Sequence, residues 1–329
     1  MTAWLVRRVA ASIAIVFLVV TLTFILMDVA PGKPMLGPTE RLVDPQAEAI
    51  LNRQFGLEGP IDVRYVSYLR ELVHGNLGLS FGLRRPVADA LADAIPNTLL
   101  LAGAALLIDF LIGLALGVYQ ALRVHRIPDV VLGNVTLFLY SVPTFWLGLI
   151  LLLVFGEWLG WFPVAGMSDP ILCPTVSSFY CAMDRLWHLA LPALTLGFVG
   201  AAGTARFQRA AMLEVAGQDY IRTARAKGAS ERRVVLRHQL RNALLSFITL
   251  FGLAFPFLLT GAVLIETIFA WPGMGRLATD AILRRDFPVV NAAVLLASTM
   301  VVVGNLVADV LLAIADPRLR VRSGGGEPA

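Results

Sequence analysis

Six stretches of this 329-residue chain are built almost wholly from apolar side chains, and that pattern limits the fold more than any other feature. They span residues 9–29, 98–122, 130–158, 189–215, 244–269 and 289–315. About twenty apolar residues in a helix cross a hydrocarbon layer roughly 30 Å thick. Inside lipid every backbone amide and carbonyl must find a partner within the protein, which leaves only helices and closed barrels. Barrel strands would read as alternating segments of about ten residues. These stretches are longer and do not alternate, so the expected fold class is an all-α polytopic membrane protein with six transmembrane helices. Composition agrees: 57% of residues are hydrophobic and 15% charged, against about 25% charged in soluble domains. A mean hydropathy of +0.75 means more apolar surface than a soluble core of this size would hide.

Arg7 and Arg8 precede the first stretch as the n-region of a signal peptide would, but an h-region spans only about 7–15 residues. The run from Val9 to Met27 is longer, and no small-x-small cleavage pattern follows, so it is read as a retained helix. Lys and Arg then set the orientation. Six crossings place both ends and two internal loops on one side, which carries sixteen basic residues; the short opposite loops carry four, Arg185, Arg276, Arg284 and Arg285. Both termini are therefore expected in the cytoplasm. Segment 30–97 is too long for a turn and is expected to form a small extracytoplasmic subdomain, with helical stretches at 45–55 and 62–74 and a Gly-punctuated tail at 75–82. The organisation is thus 1–29 (N-terminus and helix one), 30–97, a core at 98–320 containing a polar inner segment at 216–242, and a disordered Gly- and Pro-rich tail at 321–329. The net charge of +4 does not imply nucleic acid, because no basic stretch is interleaved with base-stacking aromatics. Cys173 and Cys181 share the external loop 160–187; they are either two separate thiols or, on the oxidising side, a disulfide.

Catalytic signatures are absent: there is no H-E-x-x-H, no G-x-S-x-G and no phosphate loop, since Gly32 and Lys33 are followed by Pro34. His74, His125, His188 and His238 are scattered without ligand spacing, so no metal or cofactor is expected on this chain. Three acids fall within apolar stretches: Asp109, Asp309 and Glu266. A charge at a helix centre costs about 2.5–3.5 kcal/mol on insertion scales. Each acid either faces a polar path or pairs with a neighbouring helix and fixes packing, and a proton-coupled carrier using Asp109 and Glu266 remains an alternative. Gly113 and Gly117 make a G-x-x-x-G step that lets two helix backbones approach.

The inner segment 218–242 is the most informative. Asp219 can cap a short helix that ends at Gly228, with Lys227 in its last turn where a cation suits the dipole. Tyr220, Ile221 and Ala224 share one face, and Ser230 with Glu231 starts another helix. Such a helix rests on anionic lipid or fits a groove on a partner protein; the small Ala224 and Gly228 favour the groove.

Here the sequence resembles the ABC importer permeases. Their cytoplasmic loop follows E-A-A, three residues, G, then nine residues and I-x-L-P. Arg222-Thr223-Ala224 stands for E-A-A, Gly228 for the glycine, and 238–241 where I-x-L-P would fall. The form R-T-A-R-A-K-G followed by L-R-N-A is similar to the dipeptide/oligopeptide/nickel branch. Further matching stretches lie at 96–100, 141–148, 191–195, 266–275, 285–290 and 316–318, and together they resemble its first, B-type, membrane subunit.

That resemblance implies a type I importer bundle in the bacterial plasma membrane, forming half of a path for peptides or related small solutes. It implies a homologous second permease, two cytoplasmic ATPases that bind ATP and Mg, and an extracytoplasmic solute-binding protein. The expected ATPase-coupling residues are Asp219, Tyr220, Ile221, Arg222, Thr223, Ala224, Lys227 and Gly228. Glu266, Trp271 and Gly273 are expected at an external gate or binding-protein contact. The chain itself would not be an enzyme.

Overall fold

The computed structural model describes residues 2–29, 60–173, 175–244 and 262–315. Its described elements are helical: α1 (Thr2–Val29), α2 (Ile61–Val73), α3 (Val87–Leu122), α4 (Ile127–Ser141), α5 (Thr144–Leu151), α6 (Ser178–Ala216), α7 (Asp219–Ala226), α8 (Glu231–Arg233), α9 (Met274–Arg284) and α10 (Phe287–Ala315). Wider π-helical turns extend α5 through Leu152–Trp158 and α8 through Val234–Leu240.

Among the described residues four helices are long and apolar enough to cross a membrane, α1, α3, α6 and α10, and the α4–α5 pair makes a fifth if its two arms form one span. The stretch expected at 244–269 lies mostly outside the described residues, as do the helical stretch at 45–55 and the tail at 321–329.

Two differences from the sequence reading have clear causes. The expected single helix 130–158 is bent by 103° between α4 and α5. Pro143 cannot donate to the preceding turn and forces Val142 into extended backbone, ψ 132°. Apolarity alone does not report such a break. Conversely, α3 begins at Val87, so the boundary drawn at 97/98 falls inside one continuous helix that contains Pro96. Its first turns are polar because they lie beyond the apolar stretch, not because they are unstructured. The same holds for α6, which starts at Ser178.

Among the described elements, helices α3 and α6 make the most extensive contact. Glycine allows it. A Cβ added at Gly113 would stand 2.7 Å from Thr204 Cβ, and one at Gly117 2.5 Å from the Ala205 carbonyl oxygen. The G-x-x-x-G step thus meets α6, and Gly197 and Gly200 answer it from the other side against Ile108 and Asp109.

Among the described residues the core falls into three apolar clusters. One joins Leu101, Leu106, Phe110, Leu191, Ile265 and Phe269; a second joins Val87, Leu91, Val289 and Val290; a third joins Ala121, Met212, Val235 and Ala243. Helix α2 is docked on α1 by Tyr65 and Tyr68, whose rings lie 5.3 and 5.2 Å from that of Phe24. The Thr21 and Tyr65 hydroxyls share a 2.6 Å hydrogen bond. The tail at 75–82 is tied to the start of α10, since Asp286 accepts from the Gly82 amide at 2.8 Å and from the Ser80 hydroxyl.

Candidate functional site

The polar inner segment leaves the end of α6 as a compact helix–turn–helix. Gln218, in extended backbone, is the N-cap of α7, and no side chain caps it. Asp219 is therefore the first helical residue rather than the cap, where its charge still suits the helix N-terminus. The helix ends through Lys227 and Gly228, whose φ of +79° is a left-handed conformation that glycine adopts freely. The Gly228 amide donates to the Arg225 carbonyl at 2.9 Å.

One face of α7 belongs to this chain. Ile221 is fully buried, so it anchors the helix and is not available to a partner. That corrects its expected place among the contact residues: at i, i+1 and i+4, Tyr220, Ile221 and Ala224 do not all point one way. The opposite face is open. Asp219, Tyr220, Arg222, Thr223, Lys227 and Gly228 are exposed, and Ala224 is half-buried. Arg225 clamps Glu231 across the turn at 2.7 Å, holding the Glu231 carboxyl below the usual carboxylate range. The segment is fixed to the bundle through Gln239, whose side-chain amide donates to the Met212 carbonyl at 2.9 Å. A displacement of α7 would thus be passed to α6.

At the far end of the bundle, separate sequence stretches converge. Glu266 is fully buried. It accepts hydrogen bonds from Thr98 Oγ1 at 2.7 Å and from the backbone amides of Gly275 at 2.6 Å and Arg276 at 3.1 Å. Thr98 in turn accepts from the Met274 amide at 2.8 Å. The Asn97 side chain donates to the Pro272 carbonyl at 2.8 Å, and Trp271 Nε1 donates to the Asn97 carbonyl at 2.9 Å. Gly273 leaves room for the Glu266 carboxylate, which a Cβ there would strike. Beneath this knot, Gly148 faces Ile265, Phe269 and Thr195, at 3.1 to 3.4 Å from an added Cβ. The stretches at 96–100, 141–148, 191–195 and 266–275 are therefore parts of one node.

The node bears on the binding-protein half of the expected external gate or binding-protein contact. Trp271 and Glu266 are both fully enclosed by this chain, so neither presents a side chain to a delivering protein. A charge near a helix end reads as surface in a sequence, but here a polar loop folds over it.

The other two acids lie between helices. Asp309 pairs with Arg8 at 2.8 Å, tying α10 to α1. Asp109 is buried where α3 crosses α6, with its Oδ2 only 2.6 Å from a Cβ added at Gly200. Sequence reasoning missed the Asp129–Arg209 clamp, two bonds of 2.8 Å between α4 and α6, because 80 residues separate the partners. Cys173 and Cys181 have Cα atoms 4.9 Å apart and are joined. Their loop is also closed by Asp184, which accepts from the Asp169 amide at 2.7 Å. Among the described residues no His, Cys, Asp and Glu side chains group as a metal site.

Residues 113–321 match the family described as the binding-protein-dependent transport system inner membrane component, and residues 1–102 match the N-terminal region of such membrane components. The chain belongs to that family. It is 43% identical to the di/tripeptide transport system permease protein DppB of Pseudomonas aeruginosa (strain UCBPP-PA14) and 40% identical to the oligopeptide transport system permease protein AppB of Bacillus subtilis (strain 168). It is 38% identical to the glutathione transport system permease protein GsiC of Escherichia coli (strain K12). Each match covers 97% of this chain and 99% of the relative. The fold is shared with a chain of the MetNI methionine ABC transporter in an inward-facing conformation, with a TM-score of 0.55, 19% identity and coverage of 69% of this chain and 96% of that one.

The chain is thus an importer permease subunit of the B type and not itself a catalyst; in this family ATP is hydrolysed by partner ATPases. Importers of this kind work with a second permease, ATPases and a binding protein. A self-contained proton-coupled carrier is set aside by this membership, and Glu266 is already committed to three donors.

Proposed function

We propose that this permease forms half of the path by which peptides or related small solutes, glutathione included, enter a bacterial cell across the inner membrane. It pairs with a homologous second permease, crosses the membrane six times and keeps both termini in the cytoplasm. Two cytoplasmic ATPases, which carry ATP and Mg, dock on the exposed face of α7, and an extracytoplasmic binding protein delivers the solute. Closure of the ATPases displaces Thr223, Ala224 and Gly228, and the bundle swings between inward- and outward-facing states.

The observation that carries this reading is the architecture of α7 and α8. A short helix anchored by buried Ile221 and Gln239 offers the small residues Thr223, Ala224 and Gly228 outward, a shape suited to a groove on another protein. Peptide uptake is supported by the names of the relatives. A photo-crosslinking residue in place of Thr223, in the purified complex, is expected to capture an ATPase. Capture of lipid alone would remove the docking role. Uptake of labelled dipeptide, oligopeptide and glutathione by the reconstituted complex identifies the solute.

A further inference from the structure

The open face of α7 borders a cavity of about 620 Å³, bounded also by the Gly228 turn and the π-helical turns after α8. Its charged lining is of one sign: Lys227, Arg233 and Arg237, with His238 beside them. The two acids of the segment are engaged elsewhere, Asp219 beside Arg222 at 3.7 Å and Glu231 on Arg225 at 2.7 Å. No carboxylate lines the cavity. Lys227, Arg233 and Arg237 have no acidic partner among the described residues. Cations gathered around one recess repel one another until an anion enters it.

We propose that this recess is a carboxylate socket: one or more Asp or Glu side chains of the docked ATPase enter it and pair with Lys227, Arg233 and Arg237. The inference rests on the docking reading above and adds the chemistry of the contact. A lipid headgroup is the poorer occupant, because its chains would need an apolar wall, and apart from the Tyr220 ring the uncharged lining is Thr223, Gly228 and two alanines. Arginine is suited to such a role through its planar fork. The socket also supplies an electrostatic handle that the small residues of α7 cannot, since they offer shape without charge.

Carbodiimide treatment of the intact complex (this permease, its second permease and both ATPases in nanodiscs) tests the pairing. The reagent joins a lysine amine directly to a touching carboxylate. The expected product is a Lys227 peptide linked to an Asp or Glu of the ATPase, absent in Lys227→Arg, which keeps the charge but not the amine. Arg233→Gln with Arg237→Gln is expected to lower the ATPase retained at moderate salt by about tenfold or more. The proposal is overturned if the Arg233→Gln/Arg237→Gln double variant retains the ATPases in full, or if Lys227 links only within its own chain or to nothing. Loss of the Thr223 crosslink to the ATPase would instead remove the docking reading itself, so the two failures are distinct.

Discussion

Glu266 holds its place by accepting three hydrogen bonds. Two come from backbone amides at the start of α9, so the carboxylate acts as a cap supplied from a different helix. Glu266→Ala would leave those amides and Thr98 unpaired in a buried site. The expected loss is about 2–4 kcal/mol of stability, read as a shorter half-life of the detergent-solubilised protein at fixed temperature. Glu266→Gln, which keeps an acceptor oxygen, should lose less. The Arg225–Glu231 pair gives a pH prediction. The Arg225 guanidinium, hydrogen-bonded to the Glu231 carboxyl, lowers its pKa from the ordinary value. The pairing is therefore complete above that ordinary value and is lost as pH falls through the lowered one. Protection of the Gly228 amide, the intrinsic exchange rate over the observed rate at each pH, should fall over that range, and Arg225→Gln should flatten the response. Residue types were readable from sequence, but their facing was not. Ile221 and Glu266 both looked available, and only the packing of distant segments reveals that each is enclosed.

At the level of elements, the α3–α6 seam depends on bare backbone. Gly117→Val would drive a side chain into the Ala205 carbonyl and Gln208, and overpacking of this kind costs about 1–3 kcal/mol. A thermal-shift series should place Gly117→Val well below Gly103→Val, since nothing lies within 4 Å of a Cβ added at Gly103. The Cys173–Cys181 loop makes a second prediction. Mass spectrometry of non-reduced protein should find the two peptides linked, and two free thiols would contradict it. The long helices were legible because lipid demands continuous apolar stretches. Their ends were not, because α3 and α6 continue as helices beyond the apolar part, where no hydrophobic signal marks them. The 103° bend was foreshadowed by Pro143, a residue that apolarity scoring passes over.

For the whole molecule, the two ends of the bundle do different work. One end is knotted by Asn97, Thr98, Glu266 and Trp271, with Asp286 fastening the neighbouring tail. The other presents a short helix on an anchored stem, joined through Gln239 to α6 and through the α3–α6 seam to the rest. A push on α7 would therefore reach the knotted end through packed helices. The motif stretches were visible in the sequence one at a time. Their convergence into one node was not, since residues 98 and 266 meet only after the chain has crossed the bundle repeatedly. The central claim is that α7 is the handle by which ATPases drive this permease. It is tested most directly by ATP-driven uptake in proteoliposomes carrying Gly228→Trp, with Gly228→Asn as the control that keeps the left-handed turn. The account predicts that the Trp variant inserts normally and transports nothing, while the Asn variant still transports; uptake at the normal rate by the Trp variant would contradict it.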